Sequence, residues 1–426
     1  MMVFALAAFT FAQPAPAPAQ KADQTLHADV LLIVAHPDDE LGGAALLAHA
    51  ADQGGAAAVY CTSGNAGRNW VGPEQGPSLG RIREVEARMA EHAIGVNQVW
   101  FLEQPDTPSQ NVMLSLGNWN HASTLRELVR LIRLLRPNTI LTETPRTTSG
   151  ENHGDHQAAA VSAVEAFDLA GDPTAFPEQL AAPREREDLL DNLKPWQPKQ
   201  LLFFGMGSAI QSLPDAGPRV SMDDISPRTK ESYGQMMADA WQWHRTQHRG
   251  GGGMSLGNTP NPPRPSPRTG STQYFLAKDV GQPAPEAAPL PAFHLGGNWD
   301  FYERLWRAHH LRHVELLQQH NLSIQPGDTL RLPLEYENRG SEAVPVAVSC
   351  EIPSGWTAAD GTKGEQTVAP HQTAEFVFML KASAQDGANG TLSCSSTVHG
   401  QDAGKISITA GVSSRTMRQG IAAAER

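Results

Sequence analysis

Apolar and polar positions alternate between two rhythms over the first 250 residues. Residues 28–35, ADVLLIVA, are a continuous run rich in Val, Ile and Leu, the pattern of a strand buried on both faces of a parallel sheet. Helical periodicity follows over residues 41–53. A second short strand is predicted from Ala57 to Cys61 and a helix from Arg81 to Ile94. A third strand spans Val99 to Leu102. An amphipathic helix runs from Leu125 to Leu135 and stops before Pro137, and a fourth strand covers Thr139 to Thr142. Further on, residues 157–170 read as a helix, residues 200–204 (QLLFF) as a buried strand, and residues 226–248 as a helix ended by Gly250 to Gly253. Strand and helix take turns, which predicts βαβ units with right-handed crossovers and a Rossmann-like, mostly parallel sheet flanked by helices. In such sheets the ligand crevice lies beyond the carboxyl ends of the strands.

The rhythm changes twice more. Residues 257–270 are rich in Pro, Gly, Ser and Asn, and residues 281–291 form a Pro/Ala stretch. From about residue 322 short segments alternate apolar and polar positions between turn signals, as in AVPVAVSCEI and AEFVFMLKAS. Six or seven strands at this spacing predict a smaller C-terminal β-sandwich of about 100 residues. Cys350 and Cys394 both fall in these strand-like segments and could pair in an exported protein.

A chain of 426 residues exceeds what one core usually holds, so two domains are expected. The net charge is −12 with no basic stripe, which argues against nucleic acid as a partner. Residues 1–12 are a short apolar run ending in small residues, too short to span a bilayer and similar to a secretory signal; residues 13–20, QPAPAPAQ, form a linker. The expectation is therefore a secreted or periplasmic protein without stable membrane insertion. Its substrate would be a small molecule or a glycoconjugate.

Candidate chemistry concentrates after two of the predicted strands. His36-Pro37-Asp38-Asp39-Glu40 follows the first, and three successive acids there repel one another unless a cation binds. His36 and Asp39 are three apart and could share an ion if the chain turns into a helix at Pro37. His153-Gly154-Asp155-His156 follows the fourth strand and opens a helix. Catalytic zinc takes three protein ligands and keeps a position for water. His36, Asp39 and His156 would supply such a set for one Zn2+ per chain. Asp38 would then be free as general base, and His153 as donor to developing charge. A helix start merely capped by acids would explain HPDDE alone, but not both segments together. Arg68, Asp106 and His244 lie where a substrate could be met.

Ala35-His36-Pro37-Asp38-Asp39-Glu40 together with His153-x-x-His156 closely resembles the PIG-L/LmbE-like zinc deacetylases. The resemblance covers about residues 28–250. It takes in Thr62-Ser63-Gly64 with Arg68, Arg81 and Glu84, Asp106, Ser226 with Lys230, and His244-Arg245-Thr246-Gln247. It implies a Rossmann-like domain over residues 25–280 that uses zinc to cleave the N-acyl bond of an amino sugar. His36, Asp39 and His156 would be its ligands, Asp38 the base and His153 the electrostatic partner. Glu151 and Asn152 stand before His153, where some members carry a tyrosine. A leader and linker over residues 1–24, a linker with a helix over 281–321, an immunoglobulin-like accessory sandwich over 322–412 and a tail over 413–426 complete the expected organisation. The reaction expected is removal of an N-acetyl group from an amino sugar such as an N-acetylglucosamine derivative. An amidase acting on a non-sugar amide or thiol conjugate, and a secreted binding protein with an inactive hydrolase domain, are the competing expectations.

Overall fold

A computed structural model describes residues 26–145, 153–183, 191–205, 217–247, 264–282, 290–315 and 321–414. The expected leader, Glu151, Asn152, the glycine-rich run after Arg249 and most of the expected tail lie outside these residues. The N-terminal sheet is built from β1 (Val30–Val34), β2 (Ala56–Thr62), β3 (Gln98–Gln104), β4 (Thr139–Glu143) and β5 (Gln200–Phe204). A small ribbon of β6 (Arg219–Ser221) and β7 (Ser271–Gln273) follows, and β8 (Phe275–Asp279) returns to the main sheet. Its strand order is β3-β2-β1-β4-β5-β8, parallel except for β8, which runs antiparallel to β5. The order reverses at the gap between β1 and β4, which is where a doubly wound sheet opens its crevice.

Every residue of β1 is buried. Leu31 and Ile33 enter one core, and Val30, Leu32 and Val34 enter the other. That two-sided burial is why the run is apolar throughout rather than alternating. One face is covered by helices α1 (Ala44–Gln53), α2 (Pro77–Ile94) and, late in the chain, Tyr233–Trp241. The other is covered by α3 (Val112–Asn118), α4 (His121–Leu135) and α5 (Gly154–Leu169). The long helix expected over residues 226–248 is shorter: α6 spans only Tyr233–Trp241, with a separate 3-10 turn at Arg245–Gln247. Ser232 caps its start by accepting from the Gln235 amide, and Lys230 sits at φ 64, which no helix tolerates in its interior.

The C-terminal part is a sandwich of two sheets. One has the order β10-β17-β16-β12-β14 and the other β13-β15-β11-β9. Their strands are β9 (Phe293–Leu295), β10 (Asn321–Ile324), β11 (Thr329–Glu337), β12 (Val344–Glu351), β13 (Thr357–Ala358), β14 (Lys363–Val368), β15 (Thr373–Lys381), β16 (Asn389–Val398) and β17 (Gln401–Val412). β9 comes from the stretch expected to be linker and pairs with β11 through Leu295 and Leu334. Helix α7 (Asn298–Ala308) then places Tyr302 and Trp306 in the N-terminal core, while Trp299 packs on the sandwich. A cut near residue 320 would therefore leave β9 without its sheet.

Cys350 and Cys394 face each other across β12 and β16 and are joined by a disulfide. The bridge closes a sequence separation of 44 residues. Replacing both cysteines by alanine should lower the stability of the sandwich by about 2–4 kcal/mol. A shift of its denaturant midpoint relative to the oxidised protein measures this, and coincident unfolding curves would show that the bridge adds nothing.

Candidate metal centre

The two polar segments meet at the gap between β1 and β4. His36 leaves the carboxyl end of β1, and its amide donates to Asp39 Oδ2 at 2.7 Å. No helix starts at Pro37. The chain instead makes a turn in which Asp38 adopts φ 107, ψ −19, and only then enters the 3-10 helix Asp39–Gly42. A non-glycine residue held in such a conformation costs on the order of 1–3 kcal/mol and persists only where its surroundings impose it. From the other side of the gap, the Gly154 amide donates to the Ser109 carbonyl at 2.6 Å. A Cβ on Gly154 would stand 2.8 Å from the Asn111 carbonyl oxygen, so only glycine lets the start of α5 press against that loop.

This packing brings His36, Asp39 and His156 together. His36 Nδ1 is 3.6 Å from Asp39 Oδ2, His156 Nε2 is 3.2 Å from Asp39 Oδ1, and the two ring nitrogens are 3.0 Å apart. Ligand atoms around a tetrahedral zinc lie about 3–4 Å apart, given bonds of about 2 Å, so the donor set fits such an ion. A second rank of carboxylates stands behind the imidazoles. Asp106 Oδ1 and Asp155 Oδ2 are 3.4 and 3.5 Å from His36 Nε2, and Glu143 Oε2 is 3.5 Å from His156 Nδ1. Carboxylates on the far nitrogen of a ligating imidazole orient it and raise its basicity.

The protonation equilibria report the same demand for positive charge. Burial lowers the pKa of His156, but the charges of Asp39 and Glu143 outweigh it and raise the imidazole to about 10. Burial opposes ionisation of Asp39, yet His156 and His36 hold it well below the ordinary carboxylate range. Protonated imidazoles thus fill the role that a bound cation would take over, with release of their protons. Asp38 differs from its neighbour. Desolvation, together with the charge of Asp39, pushes its carboxyl up to about 8, against the opposing pull of His244 and His36. His153 stacks on His36 with ring centroids 4.7 Å apart. Burial and the two nearby imidazoles lower its pKa to about 4. Its Nε2 donates to the Thr107 carbonyl at 2.9 Å, so the neutral ring offers Nδ1 as an acceptor and donates there only once protonated.

The residues expected to meet substrate are placed differently from one another. Arg68 is exposed and lies over the Trp70 ring, 3.9 Å from its centroid. Asp106 is turned inward, accepting from the Ala66 amide at 2.8 Å and facing His36. His244 is fully buried, and its Nε2 hydrogen-bonds Glu40. Asp155 and Glu143 were not among the expected site residues. Each had a faint signal, an acid inside the His-x-x-His segment and an acid at the carboxyl end of a strand.

The His/carboxylate cluster lies beyond the carboxyl ends of the strands, where doubly wound domains place their ligand sites. Residues 31–167 match the PIG-L family, described as GlcNAc-PI de-N-acetylase, and residues 324–395 match the NPCBM-associated, NEW3 domain of alpha-galactosidase. The N-terminal α/β domain is therefore similar to the PIG-L family over the stretch that carries both polar segments. Curated relatives include the 1D-myo-inositol 2-acetamido-2-deoxy-alpha-D-glucopyranoside deacetylase of Streptomyces avermitilis. It is 34% identical over 174 residues, which cover 37% of this chain and 58% of that protein. The corresponding deacetylase 1 of Catenulispora acidiphila is 28% identical over 268 residues, covering 58% of this chain and 80% of that one. Among solved structures, an N,N'-diacetylchitobiose deacetylase from Pyrococcus horikoshii is 19% identical with a TM-score of 0.36, covering 52% of this chain and 71% of that chain. No helix among the described residues is long and apolar enough to cross a membrane.

Proposed function

We propose that this protein is a zinc-dependent N-deacetylase that removes an acetyl group from an N-acetylglucosamine derivative. The observation that carries the reading is the convergence of His36, Asp39 and His156 beside Asp38 at the β1/β4 gap. The deacetylase activity of the relatives supports it. His36, Asp39 and His156 would hold the ion, which when bound supplies Lewis acidity toward water and the amide carbonyl. Asp38 accepts the proton of the attacking water. A carboxylate that does not contact the imidazoles of the ligand set is free to take a proton and give it up again. Asp38 returns that proton to the leaving amine nitrogen, with His153 as the electrostatic partner of the charge that develops in the reaction. Asp106 and Asp155 keep the His36 ring oriented. Arg68, being exposed, is the candidate contact for substrate outside the acetyl group.

Export of the chain is part of the same proposal, and the Cys350–Cys394 disulfide supports it, since such bonds persist in oxidising compartments.

Zinc-loaded protein should release acetate from N-acetylglucosamine derivatives and leave the free amine. Acyl release confined to non-sugar amides would replace this reading with that of a general amidase. Zinc binding without acyl release from either class would leave a binding protein.

A further inference from the structure

We propose that Glu40, braced by His244 and Tyr60, is a positioning residue that fixes the backbone of Asp38 for its work as general base. The inference rests on the base role assigned to Asp38 above. Glu40 is completely buried, and both its oxygens are engaged. Oε2 accepts from the Asp38 amide at 2.9 Å and from the Tyr60 hydroxyl at 3.0 Å. Oε1 accepts from His244 Nε2. The amide of Asp38 donates to Glu40 while Asp38 stands in the left-handed region, a conformation that a non-glycine residue avoids. A second tie closes the turn, as the Leu41 amide donates to the Asp38 carbonyl at 3.2 Å.

The brace reaches back into the core. Tyr60 lies on β2, and its hydroxyl is also 2.8 Å from Glu91 Oε1 on α2. A hydroxyl carries one proton, so when it donates to Glu40 it must accept from Glu91. Burial and the charge of Glu40 raise the Glu91 carboxyl well above its ordinary range, which keeps that proton in place. His244 arrives on the segment after α6, which is itself docked against the site. Thr246 donates to Glu86 through its amide at 2.9 Å and its hydroxyl at 2.7 Å, and Gln247 donates to the Pro37 carbonyl at 2.7 Å. Two elements distant in sequence, β2 and the segment after α6, thus converge on one carboxylate, and that carboxylate holds one backbone amide.

The geometry has a purpose within the motif. Asp38 and Asp39 are adjacent, yet one is to serve as base and the other as ligand. A turn at positive φ between them separates their tasks, and Glu40 maintains it. A buried residue that orients a group at a metal site typically contributes about 10- to 100-fold in activity.

The test is a comparison of His244→Ala and Glu40→Gln, each made in the wild-type and in the Asp38→Asn enzyme, by acetate release from an N-acetylglucosamine derivative and by zinc content. His244→Ala should lower kcat about 10- to 100-fold with KM and zinc content unchanged. Glu40→Gln keeps an acceptor for the Asp38 amide and should lose less. In the Asp38→Asn background neither change should lower kcat further, because the group being positioned is already disabled. The same fold-loss in both backgrounds would show a role independent of Asp38 and overturn the proposal, as would loss of zinc from His244→Ala. Should His244→Ala fail to fold, Tyr60→Phe, which removes the prop on Oε2, serves in its place with the same expected epistasis. An Asp38→Asn enzyme as active as the wild type would overturn the base assignment itself, a result separable from failure of the brace.

Discussion

Asp38→Asn should lower kcat by about 100- to 10,000-fold, the usual contribution of a positioned general base, while zinc content and KM stay close to wild type. The amide is nearly isosteric with the carboxyl, and its backbone amide can still donate to Glu40. What it cannot do is accept a proton. The sharper measurement pairs this variant with Asp39→Asn. Asp39 contacts both His36 and His156, whereas Asp38 does not figure among the residues clustered on those imidazoles. Zinc should therefore be weakened or lost in Asp39→Asn and kept in Asp38→Asn. The reverse pattern would exchange the two roles.

Much of this arrangement was legible in the residues. The apolar run of β1 announced a strand buried on both faces, and its neighbours followed from alternation of strand and helix. The convergence of HPDDE with His153-x-x-His156 was readable because both follow strands that flank the switch point, and a switch point is fixed by strand order rather than by side-chain detail. What escaped has physical causes. The left-handed Asp38 could not be foreseen, since the Glu40 carboxylate that holds its amide is itself placed by Tyr60 and His244 from distant parts of the chain. The antiparallel β8 follows a Pro-rich stretch whose pattern resembles loop, and only pairing with β5 makes it a strand. His244 read as a crevice residue because it lies near Arg245, Thr246 and Gln247, and its complete burial depends on docking against Glu40 and Glu86. Asp106 shows the same limit, as its position past β3 was right for contact with a ligand but its carboxylate turns toward His36 instead.

Removal of either imidazole of the expected ligand set should have the largest effect of all. His36→Ala and His156→Ala should each abolish stoichiometric zinc binding and reduce acetate release to background, because two protein ligands do not hold catalytic zinc as three do. The two variants should differ in stability. His156 is the nearer of the two imidazoles to Asp39, and its loss leaves that buried carboxylate with the His36 ring alone of the two. An uncompensated buried charge is costly, and the Asp39 pKa would rise as its depressing partner disappears. The metal-free His156→Ala protein should consequently unfold more readily at neutral pH than in mild acid, where Asp39 can be protonated. For the wild type, by contrast, the His156–Asp39 pair remains ionised across neutrality, since burial is outweighed and the imidazole titrates near 10. Zinc titrations followed by inductively coupled plasma analysis, with thermal unfolding at two pH values, decide the matter. Full zinc occupancy in both variants would remove His36 and His156 from the ligand set and place the ion among other residues.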